Sequence, residues 1–317
     1  MNLTGTQYEI RLIDVGSAEY PAALHRALDL PWSSFNGQIH ARAADLLASL
    51  GTRPQDASYL ISAYDAGRLV SACLVVASPG ASALVYAPSG FEPGFHLEAT
   101  IAVLRAVQEE ARDRGLVLLE ALLPPDACDL RLGLKQAGFR HLTRLLYFRR
   151  GYRNRVVSPR RANDLKWVGF ATESTPLFHQ AIRDSYVQSL DCPELAGIRT
   201  VGQVLDGHRA VGEHDPSLWW VATRAGEPVG VLLLSRIPAR DALELVYVGV
   251  SQAARGSGVG DALVERAIDA AAAPRSRVLM LAVDERNTPA RQLYSRWGFV
   301  ETRVRDAWIA TPRPARG

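Results

Sequence analysis

Lysine is nearly absent from this chain. Its 317 residues include two, Lys135 and Lys166, so the 36 basic residues are almost all arginine. Against 33 acidic residues they leave a net charge of +3. That is too little, and too evenly spread, to attract nucleic acid or an anionic membrane by bulk electrostatics. Cysteine is scarce as well. Cys73, Cys128 and Cys192 form no C-x-x-C pair and have no histidine at ligand spacing, which argues against a disulfide framework and against a zinc site. Long apolar runs are missing: stretches such as 116–119 and 231–234 fall far short of the roughly 20 residues of a membrane-spanning helix. Near the start, Glu9, Arg11 and Asp14 stand where an export leader would need apolar residues. The expectation is a cytoplasmic protein with no metal, no nucleic acid and no membrane among its partners. The oligomeric state is open, and a monomer is compatible with everything above.

What is present is an ordinary globular composition, 48% hydrophobic, at a length that suits about two domains. Two segments share one grammar. Lys135-Gln-Ala-Gly-Phe139 reads like Ser295-Arg-Trp-Gly-Phe299 at an offset of 160, each a helix ending at glycine before a strand. Near the same offset, a glycine turn and apolar strand beginning at Gly67 match those beginning at Gly226. A duplicated α/β domain follows, each copy a mixed, mostly antiparallel sheet flanked by helices. The expected boundaries are 1–150, an Arg-rich linker 151–161, a second copy 162–310 and a frayed tail 311–317. The arginines of 149–161 read as a solvated strand end and linker rather than a nucleic-acid site. In the second copy we read helices over 176–188 and 201–210, a hairpin of 218–223 with 229–235, a strand over 242–250, and a helix over 259–272. A strand over 277–283, a helix over 289–297 and a closing strand complete it.

The strand over 242–250 runs into Arg255-Gly256-Ser257-Gly258-Val259-Gly260 and then into a helix whose Leu263, Ala267, Ile268 and Ala271 share a face. Glycines let backbone N–H groups approach an anion closely, and a helix start adds the positive end of its dipole. The loop is suited to phosphate, but it has neither the spacing nor the position of a dinucleotide fingerprint, and no lysine of a nucleotide P-loop. Further on, Thr288 is a natural N-cap with Pro289 following, and Gly298 ends the helix.

An Arg-Gly-x-Gly-x-Gly loop, then a strand, then Asn287-x-x-Ala-x-x-Leu-Tyr-x-x-x-Gly-Phe299, resembles the GNAT superfamily of acyl-CoA-dependent N-acyltransferases over 171–310. The resemblance implies that acetyl-CoA, or another acyl-CoA, lays its pyrophosphate on the backbone amides of Arg255, Gly256, Ser257, Gly258, Val259 and Gly260. It implies that the pantetheine arm adds to the strand at Val248 and Val250, which splays from its neighbour to open a slot for the thioester. Acyl transfer to an amine needs a neutral nucleophile, stabilisation of the oxyanion and a proton for the departing thiolate. An alkyl amine near pKa 10.4 is neutral in about one molecule in a few thousand at pH 7, so a nearby carboxylate helps.

Glu244 is the only acid on the strand that leads to the loop. It is either an exposed strand start or, as the resemblance to duplicated members of the family implies, the general base. Strand alternation puts it on the face of Val246, Val248 and Val250, barring a bulge. Tyr294 is either one member of a buried helix stripe or, within this motif, the general acid. Asn287 either reaches the coenzyme or caps the loop. The oxyanion donor is expected to be a backbone N–H within 248–250.

The acceptor is expected to enter past 185–200, with Tyr186, Asp191 and Cys192 as candidate substrate contacts. Asp191 meets a cationic amine or caps a turn, and Cys192 reads as inert packing rather than an acyl carrier. His208 and His214 read as loop histidines. Carrying the motifs back by 160 residues puts Leu134 at the place of Tyr294, Ala127 at that of Asn287, and 95–100 at that of the loop, without its glycines. The first copy therefore reads as a fold that lost the chemistry. The expected function is transfer of acetyl from acetyl-CoA to a small-molecule primary amine, with a peptide amino terminus as a second acceptor class and an acyl-CoA sensor as the non-enzymatic alternative.

Overall fold

The computed structural model describes residues 7–14, 16–28, 58–88, 90, 94–151, 162, 164–272 and 278–312. In chain order the elements are β1 (Glu9–Ile13), α1 (Tyr20–Ala27), β2 (Ser58–Asp65), β3 (Arg68–Ser78), β4 (Ser82–Tyr86), α2 (Leu97–Asp113), β5 (Leu118–Leu123), α3 (Cys128–Gln136) and β6 (Arg140–Gly151). Then follow β7 (Lys166–Gly169), α4 (Thr175–Tyr186), α5 (Val201–Arg209), β8 (Trp219–Arg224), β9 (Glu227–Ile237), β10 (Ala242–Val250), α6 (Val259–Ala272), β11 (Val278–Asp284), α7 (Thr288–Arg296) and β12 (Val300–Ala310). The mixed α/β architecture matches the expectation, and the bounds of β10 and α6 coincide with those read from periodicity. No helix among the described residues is long and apolar enough to cross a membrane.

The chain divides into two compact units. One holds the described residues up to Thr143 together with those from Arg305 onward; the other is Arg144–Val304. In the first, the strand order is β1-β2-β3-β4-β5-β12; in the second it is β6-β11-β10-β9-β8-β7. The duplication is visible in the backbone itself. Ala66 and Gly67 turn the β2–β3 hairpin at positive φ, as Ala225 and Gly226 turn β8–β9, and the pairs Ala81 with Asp241 and Gly138 with Gly298 repeat the left-handed conformation 160 residues apart. In each unit one parallel pairing is short: β4 meets β5 through three residue pairs ending at Leu84, and β10 meets β11 through three ending at Glu244.

The closing strands do not follow the halves of the chain. Asp306–Ala310 of β12 pair with Leu119–Leu123 of β5, inside the first unit. The part of β6 from Leu145 to Gly151 pairs along the whole of β11, inside the second. Arg149 and Arg150 therefore belong to a strand and not to a linker. Arg150 is buried, and its Nε donates to the Trp297 carbonyl at 2.7 Å. The remainder of the expected Arg-rich linker, 152–161, and the end of the expected tail, 313–317, lie outside the described residues.

The second unit's core is built from the inner faces of β8, β9, β10 and β11 with α4 and α6. Trp219, Phe178, Leu232, Val259 and Leu263 are fully buried there. On α6, Leu263, Val264, Ala267 and Ala271 form the stripe that the helical period demands. Gly230 lets α6 settle onto the sheet, because a Cβ there would lie 2.9 Å from Val259 Cγ1.

Candidate active site

β10 and β11 stop pairing at Glu244 and Met280, while both strands run on for several residues. Two residues later β10 bulges: Leu245 opposes Leu234 of β9 and Tyr247 opposes Leu233, leaving Val246 as the extra residue. The strands therefore splay as expected. A cleft of about 1350 Å³ opens in the second unit, lined by the freed edge 245–250, by Ala282 and Val283 of β11, and by Tyr186, Arg255, Gly256 and Tyr294 among others.

The bulge corrects the predicted face of Glu244. Read through the pairing with β9, Glu244 shares its face with Tyr247 and Gly249, and Val248 and Val250 share the other. The Gly249 face looks at α4, where a Cβ would lie 2.5 Å from Ser185 Oγ; Gly260 at the start of α6 would bring its Cβ to 4.0 Å from Val250 Cγ2 on the opposite side. An inserted residue reverses every later side chain, and nothing in the alternation of apolar residues announced it. Glu244 itself is partly buried and is absent from the cleft wall, where Leu245 and Val246 take the adjoining places. Desolvation raises its carboxyl pKa above the usual range, opposed by the charge of Arg240.

At the mouth of the cleft, Gly256 and Gly258 hold φ of +78° and +87°, which glycine adopts without strain. The loop's side chains largely serve the fold. Arg255 donates to the carbonyls of Ser185 (3.0 Å), Val187 (2.7 Å) and Gln188 (2.9 Å), where α4 ends. Its guanidinium is thereby an anchor for the loop. Ser257 Oγ donates to the Ala254 carbonyl at 2.7 Å and accepts from Arg224. The Val259 side chain is fully buried in the core. The Arg255 and Ser257 amides close turns onto Gln252 and Ala254 at 3.3 Å each, which leaves the amides of Gly256, Gly258 and the first turn of α6 as the better anion donors.

Asn287, rather than Thr288, is the N-cap of α7: its Oδ1 accepts from the Ala290 amide at 3.3 Å. The matching N-cap of α3 in the first unit is Ala127, which makes no side-chain cap bond. Tyr294 lies on the cleft wall and is buried. Burial raises its phenol pKa well above the ordinary value, and the charge of Asp191 adds to the rise. Its place in the first unit is held by the fully buried Leu134.

Tyr186, Asp191 and Cys192 all line the cleft. Asp191 is already engaged, since its Oδ1 accepts from the Asp284 amide at 2.9 Å. The Cys192 amide donates back to Asp284 Oδ2 at 3.0 Å, and Arg286 bridges Asp284 and Glu194 at 2.7 and 2.6 Å. This lattice clamps the segment after α4 to the β11–α7 turn; its partners lie about 90 residues apart, so no local spacing announces it. His208 is not a loop residue. It sits on α5, whose Thr200–Gln203 capping box was the available signal, lines the cleft, and stacks on Tyr247 at 5.2 Å between ring centroids. His214 does lie in a loop, 4.5 Å from the Trp219 ring. The hydroxyls of Ser185 and Tyr247 are hydrogen-bonded at 2.8 Å. No group of three or more His, Cys, Asp or Glu side chains able to hold a metal ion occurs among the described residues.

A splayed parallel pair, a bulged strand and a glycine-rich helix start meet at one cleft, and residues 183–299 match the model of the acetyltransferase (GNAT) family. The matched residues lie within the second unit. Over 103 residues, 32% of this chain, the sequence is 38% identical to the mycothiol acetyltransferase of Streptomyces griseus, and over 93 residues it is 37% identical to that of Beutenbergia cavernae. These stretches cover about a third of either relative, 33% and 31%. Among solved structures, a GCN5-related N-acetyltransferase from Sphaerobacter thermophilus matches 98% of this chain and 97% of its own with a TM-score of 0.61 at 16% identity. A tandem GNAT protein from the clavulanic acid biosynthesis pathway matches 97% of this chain and all of its own with a TM-score of 0.53, also at 16% identity. The fold of the chain is thus that of a tandem GNAT protein.

Proposed function

We propose that this chain is an acetyl-CoA-dependent N-acetyltransferase that transfers acetyl directly to a primary amine of a small molecule, at the cleft of its second unit. The observation that carries the reading is the splay at Glu244: a carboxylate marks the apex of the slot, and a glycine-rich helix start and Tyr294 lie along it. Glu244 takes the proton of the incoming ammonium, and the neutral amine attacks the thioester carbonyl. A backbone N–H of the freed β10 edge within 248–250 receives the developing oxyanion. Collapse breaks the carbon–sulfur bond, Tyr294 hands its proton to the thiolate, and the second proton shed by the nitrogen as the amide forms restores the phenol, while Glu244 returns its proton to solvent. Amides of the 256–260 loop hold the pyrophosphate. The first unit keeps the architecture without a tyrosine or capping asparagine at the corresponding places, and we assign it no turnover.

The matches to mycothiol acetyltransferases favour a particular acceptor, cysteinyl-glucosaminyl-inositol. Coenzyme A release from acetyl-CoA across a panel of amines that includes it tests the reading. Turnover of that amine alone would identify the chain as a mycothiol synthase, turnover of other small amines would keep the general reading, and turnover only of peptide amino termini would contradict it. Tight acetyl-CoA binding with no turnover would favour a sensor.

A further inference from the structure

Most of the segment that joins α4 to α5, residues 187–200, lines the cleft, and contacts from distant residues hold its shape. Its regular structure is one short 3-10 turn, Pro193–Leu195. Gln188 and Cys192 stand at φ of +49° and +45°, a region that residues with a Cβ seldom occupy unless their surroundings hold them there. Cys192 is held by Asp284, a fully buried carboxylate. Its Oδ2 accepts from the Cys192 amide at 3.0 Å and from Arg286 Nη2 at 2.7 Å, and its Oδ1 from the Arg286 amide at 2.8 Å. The same guanidinium reaches Glu194 through two bonds of 2.6 and 2.9 Å. The backbone amide of Asp284 donates to Asp191 Oδ1 at 2.9 Å, so β11 aims the Asp191 carboxylate. Among the described residues of the cleft wall the other carboxylate is Asp261, at the start of α6, which accepts from Trp297 Nε1 at 2.9 Å. The charge of Asp191 bears on Tyr186 and Tyr247, and it is the charged side chain that bears on Tyr294. Arg199 lies on the same wall, and its charge bears on Tyr186 and His208.

We propose that Asp191 is the carboxylate on which the acceptor's ammonium docks, and that the Asp284–Arg286 pair positions it. The inference rests on the acetyltransferase reading and names the class of amine. Glu244 is absent from the cleft wall, so the arriving cation needs a partner inside the cleft until its proton leaves. An ion pair in such an enclosed place is stronger than one in bulk water. Burial raises the pKa of Asp191 and the charge of Asp284 adds to the rise, opposed by the Asp284 amide, the Asn287 side chain and the charge of Arg286; a docked cation lowers it again. Asp191, Asp284 and Glu194 are set against the single guanidinium of Arg286, so this part of the wall keeps a surplus of negative charge. A carboxylate beside the amine would be repelled there. The class that fits is a primary amine whose neighbouring carbonyl, where it has one, is an amide.

The test is calorimetric titration of the full-length chain, saturated with coenzyme A, with cysteinyl-glucosaminyl-inositol, cysteinamide and cysteine under reducing conditions. Coenzyme A carries no acetyl group, so docking is read apart from turnover. The wild type should bind the first two more tightly than cysteine. Asp191→Asn, close in shape, should weaken both about 10- to 100-fold and narrow the gap to cysteine. Its coenzyme A affinity should stay at the wild-type value, which also shows that the cleft is intact. Arg286→Gln should weaken the amines less, and adding it to Asp191→Asn should do nothing further, because a positioning residue acts through the group it positions; an additive loss would overturn that role. In turnover the losses should appear in the amine's KM rather than in kcat. Unchanged amine affinity in Asp191→Asn would overturn the docking site, and cysteine bound as tightly as cysteinamide would overturn the amine class. Turnover with no dependence on Asp191 would leave the acetyltransferase reading standing without this site, and docking that depends on Asp191 with no turnover would leave the site standing without the reading.

Discussion

Arginine at the head of a phosphate loop can serve as a charge for the phosphate or as an anchor for the backbone, and Arg255→Lys separates the two. Arg255 spreads three short hydrogen bonds over the carbonyls of Ser185, Val187 and Gln188, with a longer one to Val250 at 3.3 Å. A lysine keeps the charge, but its compact ammonium cannot span that arc, and we expect it to retain one of the three. Charge-assisted bonds are worth about 1.5–3 kcal/mol each when enclosed. These are largely exposed, so the loss of two is set at about 1–2 kcal/mol in total. For a unit of this size each kcal/mol lowers Tm by about 2–4 °C, so a fall of about 2–8 °C is expected. Because the anchored loop presents the glycine amides, acetyl-CoA affinity should drop by about tenfold in Arg255→Lys and Arg255→Ala alike, about 1.4 kcal/mol. Thermal denaturation and calorimetric titration at two salt concentrations would measure both effects. A lysine variant with wild-type Tm and affinity, beside an alanine variant whose affinity loss shrinks with added salt, would refute the anchor and restore a phosphate contact.

Glu244→Gln should cut kcat by at least about 100-fold with acetyl-CoA affinity nearly intact, and yet raise stability. A carboxyl whose pKa is raised on folding loses stability as pH climbs from its unfolded value through the folded one, and the amide removes that penalty at neutral pH; a variant less stable than wild type at pH 7 would contradict the assignment. In the wild type, kcat/KM should fall as pH drops through the raised Glu244 pKa, above the ordinary glutamate range, and this limb should vanish in the variant. A fragment of 162–310 lacks the β6 segment that pairs with β11 and buries Phe148 and Arg150, so it should give no cooperative melt, whereas one beginning at 144 should; equal behaviour would remove β6 from the second unit's foundation. Calorimetry should find one acetyl-CoA site per chain, and two would show that the first unit binds coenzyme.

The local features were the legible ones. Apolar periodicity delivered β10 and α6 to the residue, and the glycine loop with the 287–299 motif located the cleft's mouth and its tyrosine, because each is encoded within a few turns of chain. What escaped depends on distant partners. The bulge at Val246 is a register shift against β9 and leaves no trace in a run of valines. The placement of 145–151 beside β11, and of 306–310 beside β5, is a choice between strands of similar composition. The anchoring role of the Arg255 guanidinium is invisible in the sequence because its carbonyl partners lie nearly 70 residues earlier. His208 falls within the helix that the 201–210 pattern predicts, against its reading as a loop histidine, and its facing of Tyr247 depends on packing between distant elements.

The most direct test of the account is single-turnover acetyl transfer by the full chain, measured with Tyr294→Phe beside the wild type. The phenol is buried on the cleft wall, and in this account it supplies the proton for the departing thiolate. Amine-dependent release of coenzyme A should slow by about 100-fold or more in the variant while acetyl-CoA binds as tightly as before. Release at the wild-type rate would contradict the assignment of the second unit's cleft as the site where the thioester is cleaved.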